Sequence, residues 1–182
     1  MDSSQVVQAA QEAGLSLIRF LYCDNSSIIR GKNVPAAHLE RRMVDGVGLS
    51  RALLAVNSLD EHQPVAEMSP VGEVRLRPDP DTFTILPYAR GAGAMLCDLV
   101  QHDGRPWEAC ARSFLKRVSQ QMADRGLRVR ASFEMEYTLA TETEKGYQPF
   151  DQTLCYSSIA LQATHAFTID LMEALEGQGM GV

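Results

Sequence analysis

The chain has 182 residues, 45% hydrophobic and 22% charged, with a net charge of −6. This is ordinary globular composition, and it excludes a disordered chain. The length suits one full domain, or a small domain with part of another. The acidic balance argues against a general binder of nucleic acid or anionic membrane, which needs a basic surface.

The start, Met1-Asp2-Ser3-Ser4-Gln5, has no basic or apolar leader character and does not read as a secretory signal. No stretch approaches the length of a membrane span. Cys23, Cys97, Cys110 and Cys155 show neither a C-x-x-C pair nor a metal-finger spacing. Their apolar neighbours predict buried free thiols and a reducing, cytoplasmic compartment.

In chain order, Ser3 or Ser4 is expected to cap a helix over 6–13, ended by Gly14. A strand is predicted over 15–23, a turn at Asp24-Asn25-Ser26-Ser27, and a second strand over 28–34 stopped by Pro35. Residues 36–44 read as a helix with Leu39 and Met43 on one face, ended by Gly46. A short apolar strand is expected over 53–56, and the polar stretch 57–70 reads as a loop. Val74 and Leu76 alternate with charged residues in a strand over 73–77, broken by Pro78-Asp79-Pro80-Asp81. Strands follow over 82–86 and 92–100, before the turn His102-Asp103-Gly104-Arg105-Pro106. Several strands with one or two short helices make an α+β domain, not a βαβ series.

A different unit is expected beyond that turn. Over 108–125, Ala111, Phe114, Leu115, Val118 and Met122 form a helical apolar stripe, and Gly126 closes it. The run 127–139, LRVRASFEMEYTL, then alternates strictly between apolar and polar residues. That period of two predicts a long strand with one apolar face. Glu134 and Glu136 would point the same way, roughly 6.5 Å apart. Two parallel carboxylates suit a site for two hard divalent cations. The alternative is a solvated face shared with Arg128 and Arg130. The two carboxylates repel by about 0.6 kcal/mol in water but about 2.5 kcal/mol at an effective dielectric near 20. An exposed pair is therefore cheap, whereas a buried pair needs cations.

Residues 147–158 read as a loop, and 159–176 as one helix buried through Leu161, Phe167, Leu171, Met172 and Leu175. A long one-faced strand needs a sheet and a covering layer. No partner for it follows residue 106, so 106–182 reads as the opening of a larger domain. The alternative is that it pairs with the N-terminal sheet.

Other motifs are weaker. Gly91-Ala92-Gly93 starts like a nucleotide-binding loop, but Leu96 stands at the third glycine position. His38, His62, His102 and His165 are widely spaced and read as surface residues. Aromatic residues make up 7% and do not interleave with basic ones, against a single-strand nucleic-acid platform.

Five segments, in order, resemble the glutamine synthetase family. They are Ile18-Arg19-Phe20-Leu21-Tyr22-Cys23-Asp24, Ile29-Arg30-Gly31-Lys32-Asn33-Val34-Pro35 and Arg77-Pro78-Asp79-Pro80-Asp81-Thr82 with Leu86-Pro87-Tyr88. Met95-Leu96-Cys97-Asp98 with Asp103-Gly104-Arg105-Pro106 follows, then Ser132-Phe133-Glu134-Met135-Glu136-Tyr137. Each segment alone is weak, and the ordered series is specific.

The resemblance implies a β-grasp N-terminal domain over 1–105. An incomplete glutamine synthetase-type catalytic α/β domain would follow over 106–182. It implies an ATP-dependent ligase joining ammonia or a small amine to the γ-carboxylate of glutamate, with Mg²⁺ or Mn²⁺. Glu134 would ligate the cation bridging the ATP phosphates, and Glu136 the cation near glutamate and the amine. A homo-oligomer with sites at subunit boundaries is also implied, and the fragment alone would be inactive. A non-catalytic oligomeric scaffold of the same fold is the rival reading.

Departures from the family pattern bear on the amine. The family's ammonium-binding aspartate lies in an F-D-G-S-S segment; the matching stretch here, Gly46-Val47-Gly48-Leu49-Ser50-Arg51, has no acidic residue. A larger amine is then a candidate, with Leu49 expected to contact its substituent. The family's P-R pair opening the first catalytic helix is reduced to Arg112 as the candidate match.

Overall fold

In the computed structural model, which describes residues 1–181, contacts divide the chain into two units, Met1–Arg128 and Val129–Val182. Helix α1 (Ser3–Glu12) opens the first. Its cap is Asp2, not Ser3 or Ser4. The Asp2 carboxylate accepts from the Gln5 N–H, and the Gln5 side chain accepts from the Asp2 N–H. The reciprocal bonds satisfy two orphan donors, and the negative charge suits the positive helix end.

Strands β1 (Leu17–Cys23) and β2 (Ile29–Pro35) form an antiparallel hairpin. Its turn closes on the buried carboxylate of Asp24, which accepts from the N–H groups of Ser26 and Ile28 and from Arg30 Nε at 2.6 Å. Arg30 also reaches Asp60 in the following loop at 2.7 Å. A short 3-10 turn, Ala36–His38, leads into α2 (Leu39–Asp45), and Leu39 and Met43 are buried as their spacing predicts. Gly46 ends α2 at φ 66°, where a Cβ would stand 2.7 Å from the Leu76 carbonyl oxygen.

The strand expected at 53–56 does not form. Strand β3 lies earlier, at Val47–Ser50, and a 3-10 turn, Arg51–Leu54, follows. Pairing decides this: Val47 and Leu49 stand opposite Leu76 and Val74 of β4 (Glu73–Pro78). Leu54 and Ala55 are buried all the same, without a ladder. Another 3-10 turn, Pro80–Thr82, shortens the next strand to β5 (Thr84–Ile85). Strand β6 (Ala92–Val100) has the expected bounds.

The sheet order is β2-β1-β6-β4-β3, with β5 also paired to β6. Only β1 and β6 run parallel; the other pairs are antiparallel. One face carries Ile18, Phe20 and Tyr22 of β1, Val74 and Leu76 of β4, and Met95, Cys97 and Leu99 of β6. Val6 and Ala10 of α1 and Leu39 and Met43 of α2 complete that core. A smaller apolar cluster joins Leu86, Ala92 and Ala94 with Leu17 and Leu21. This is the expected α+β architecture, a β-grasp sheet with a parallel central pair.

Helix α3 (Ala111–Ala123) belongs to the first unit by its contacts. Its predicted stripe is not covered: Phe114 and Leu115 are exposed, and none of its residues is buried.

The second unit carries a hairpin of β7 (Ala140–Thr143) and β8 (Gly146–Pro149), and β8 takes the first residues of the loop expected over 147–158. The single helix expected over 159–176 is two, α4 (Ser158–Ala163) and α5 (His165–Glu176). They break at Thr164, whose Oγ1 bonds back to the Ala160 carbonyl. Leu161, Phe167 and Met172 are exposed, so the expected burial of this helix is not met among the described residues.

Of the thiols expected to be buried, Cys97 and Cys110 are; Cys23 and Cys155 are exposed. Cys23 ends β1 on the alternation that faces outward, and Cys155 lies in irregular chain. All four histidines are exposed. Among the described residues no helix is long and apolar enough to cross a membrane.

The hairpin turn yields a pH-dependent prediction. Burial pushes the Asp24 carboxyl up, but the bonds from Arg30, Ile28 and Ser26 outweigh it and leave it below the usual carboxylate range. A depressed folded value stabilises above the unfolded value, about 3.9, and that stability is lost as pH falls through the folded one. Asp24→Ala is expected to cost about 2–4 kcal/mol at pH 7 by urea unfolding. The gap to wild type should narrow below about pH 4. A constant gap across that range would contradict the assignment.

Candidate functional site

The run 127–139 is not a strand here. None of its residues is in regular secondary structure. Residues 128–138 make no backbone hydrogen bond among the described residues. The alternation supplies one requirement of a strand, a face to bury. It does not supply the other, a neighbour for the N–H and C=O groups. Both sets of side chains are therefore open: Phe133 is 90% and Met135 81% exposed, and Glu134 and Glu136 are exposed as well. Within the second unit, Tyr137 meets Phe167 of α5 edge to face at 5.8 Å.

Hard divalent cations take about six oxygen donors. Glu134 and Glu136 are donors of that kind, accessible and two residues apart. Among the described residues no group of three His, Cys, Asp or Glu gathers to hold a metal ion. The pair thus fits a cation as part of a ligand set, with the remaining positions left to water and other donors.

The segment 46–51, matched to the ammonium-binding stretch, spans β3 with one residue on either side. Leu49 is 2% exposed and packs in the main core. It does not line an entrance, and the expected contact with an amine substituent is corrected by this burial. The missing carboxylate also looks different in three dimensions. Glu73 of β4 pairs opposite Ser50, and a Cβ on Gly48 would stand 2.6 Å from its Oε2. Glu73 is held: its Oε1 forms an ion pair with Arg75 Nη2 at 3.0 Å and lies 3.1 Å from His102 Nε2. Lys32 Nζ donates to the Gly48 carbonyl at 2.6 Å.

Arg112 has a definite structural role. Its Nη2 donates to Asp79 at 2.6 Å and its Nη1 to Asp98 at 2.8 Å. Lys116, one turn on, reaches the same two carboxylates at 3.2 and 2.7 Å. Burial pushes the Asp79 carboxyl up, but the bonds from Arg112 and Lys116 bring it below its ordinary range. This four-residue node fixes the first turns of α3 to the sheet, where its apolar stripe finds no cover. The sequence signal for it was the P-D-P-D break and the lone Asp98 in an apolar strand.

A family model described as glutamine synthetase N-terminal domain matches residues 1–107. The chain is 27% identical over 160 residues to gamma-glutamylanilide synthase of Acinetobacter sp, covering 81% of this chain and 32% of that protein. It is 30% identical over 175 residues to gamma-glutamylpolyamine synthetase of Streptomyces coelicolor, covering 93% of this chain and 37% of that protein. The solved structure of GmaS without ligand superimposes with a TM-score of 0.73 at 20% identity, over 96% of this chain and 40% of that one. The chain therefore spans about a third of the length of these curated relatives.

The placement of Leu49 can be tested by truncation. Leu49→Ala is expected to cost about 2–5 kcal/mol by urea unfolding, the usual range for an emptied core leucine. A cost below about 0.5 kcal/mol would return Leu49 to a surface position.

Proposed function

The chain belongs to the glutamine synthetase family, and from that premise we propose that it is the N-terminal part of an ATP-dependent ligase. The reaction joins an organic amine to the γ-carboxylate of glutamate through γ-glutamyl phosphate. One observation carries the choice of amine: two of the curated relatives, matched over 81% and 93% of this chain, are named for a γ-glutamyl anilide and a γ-glutamyl polyamine, while others are named glutamine synthetase. The local chemistry supports it. Segment 46–51 brings no carboxylate of its own, and the one beside it, Glu73, is engaged by Arg75 and His102. A bare ammonium ion benefits from a free carboxylate that neutralises and deprotonates it; an amine with a large substituent gains affinity elsewhere.

In this reading residues 1–105 are the N-terminal domain and 106–182 the first portion of the catalytic domain. Glu134 and Glu136 hold divalent cations there. Bound Mg²⁺ or Mn²⁺ would screen the phosphate charge that builds during transfer. The alternation of 127–139 becomes a paired strand once the rest of the domain supplies a neighbour, and Phe133 and Met135 then pack while both glutamates face the site. The whole protein is a cytoplasmic homo-oligomer, and this chain by itself releases no ADP in the presence of glutamate and amine.

The test uses a protein of the relatives' length that carries this segment. Glu134→Ala and Glu136→Ala should each lower glutamate- and amine-dependent ADP release on the order of 100-fold or more, with circular dichroism unchanged. Full activity in either variant would make the pair a solvated face. In the same assay kcat/KM for aniline or a polyamine should exceed that for ammonia. A strong preference for ammonia would overturn the amine while leaving the ligase standing.

A further inference from the structure

Four arginines of the first unit converge on one cleft of about 320 Å³. Arg41 and Arg42 come from the middle of α2, Arg75 and Arg77 from alternate positions of β4, and Gln101 and His102 from the chain just after β6. The strand period puts Arg75 and Arg77 on one face of β4, while Val74 and Leu76 fill the core on the other. One carboxylate, Asp45, lines the cleft, and it is paired with Arg41 at 2.9 Å. Val44 is the one apolar side chain among the lining residues.

Two of the four guanidinium groups are paired within the protein, Arg41 with Asp45 and Arg75 with Glu73, and those of Arg42 and Arg77 are in no ion pair among the described residues. Arg77 makes no side-chain hydrogen bond or ion pair among the described residues. Arg42 has one long contact, 3.5 Å to the Gly46 carbonyl. Arg75 uses one nitrogen on Glu73, which also contacts His102 and so ties strand to turn at the rim. In a chain of net charge −6 this concentration of positive charge is local and unlike the average surface. Planar guanidinium forks match phosphate oxygens two at a time. A single carboxylate would occupy one fork; several forks facing one cleft call for a ligand with more acceptor oxygens. The volume lies at the small end of ligand sites, about 300–1,000 Å³. The polar lining offers nothing to an acyl chain.

We propose that this cleft binds a small soluble anion bearing two linked phosphates, gripped by Arg42, Arg75 and Arg77 with Arg41 at its edge. The inference stands on these residues alone and does not rest on the ligase reading.

Titration calorimetry of the 182-residue chain with inorganic diphosphate at low ionic strength tests it. One-to-one saturable binding is expected. Arg77→Gln and Arg42→Gln should each weaken it at least about tenfold. Arg105→Gln, outside the cleft and paired with Asp103, should change it by less than about twofold. Arg41→Gln serves as a second variant if Arg42→Gln unfolds, because Arg41 is exposed. Succinate should bind more weakly than diphosphate, and vesicles bearing phosphatidylinositol phosphates should not sediment the chain. Absence of saturable binding, wild-type affinity in Arg77→Gln, or equal loss in Arg105→Gln would overturn the proposal. So would tighter binding of succinate, of the vesicles or of an oligonucleotide than of diphosphate.

Discussion

The parallel pairing of β1 with β6 is the constraint on which the first unit depends. It sets Phe20 beside Met95 and Ile18 beside Gly93. Parallel neighbours cannot be joined by a tight turn, so everything between them must return the chain to its starting edge. The hairpin, α2, β3, the polar loop and β4 are that return. Loop closure costs grow only slowly with length, so the long excursion is thermodynamically cheap. Side chains of this kind gain about 1.5–3 kcal/mol each on burial, and β6 is buried on both faces along most of its length. The exception to close packing is instructive. A Cβ on Gly93 would stand 2.9 Å from Leu15 and 3.2 Å from both Phe83 and the Thr84 carbonyl, so only glycine lets β5 and β1 flank β6 this closely.

Polar interactions then fix what hydrophobic burial leaves loose. Asp24 closes the first hairpin and, through Arg30, reaches Asp60 in the polar loop. Asn25 and Ser26 add bonds to the carbonyls of Leu54 and Val56. The long loop is thus anchored by the turn it passes. At the far end of the unit, Asp79 and Asp98 hold α3 through Arg112 and Lys116. A helix with an exposed apolar stripe is kept in place by charge, which leaves that stripe open for further packing.

Much of this was legible in the residues. Strand β6 could be bounded because Gly91 and the His102 turn enclose an apolar run, and α2 because Leu39 and Met43 share a face. Strand β3 could not, since 53–56 is more apolar than Val47–Ser50; only pairing with β4 settles which forms a ladder. The same lesson applies more strongly at 127–139. Its alternation marks a face to be buried, but no sequence pattern names the neighbour that must bury it. The Arg112 node and the arginine cleft were hidden for a related reason. Their members are separated by dozens of residues and meet only after the sheet has formed. The likeness in motif order to glutamine synthetases, by contrast, needed no folding to be seen, and the family model, over residues 1–107, takes in the first four of its five segments.

The proposed ligase requires two states of one segment, unpaired in this chain and a glutamate-bearing strand in a protein of the relatives' length. Amide hydrogen exchange resolves that directly. In the 182-residue chain the amides of 128–138 should exchange near the unprotected rate. In an active protein of the relatives' length the same amides should be protected to the level of its core strands. Absence of protection in the active protein would contradict the assignment of Glu134 and Glu136 to a metal-bearing strand.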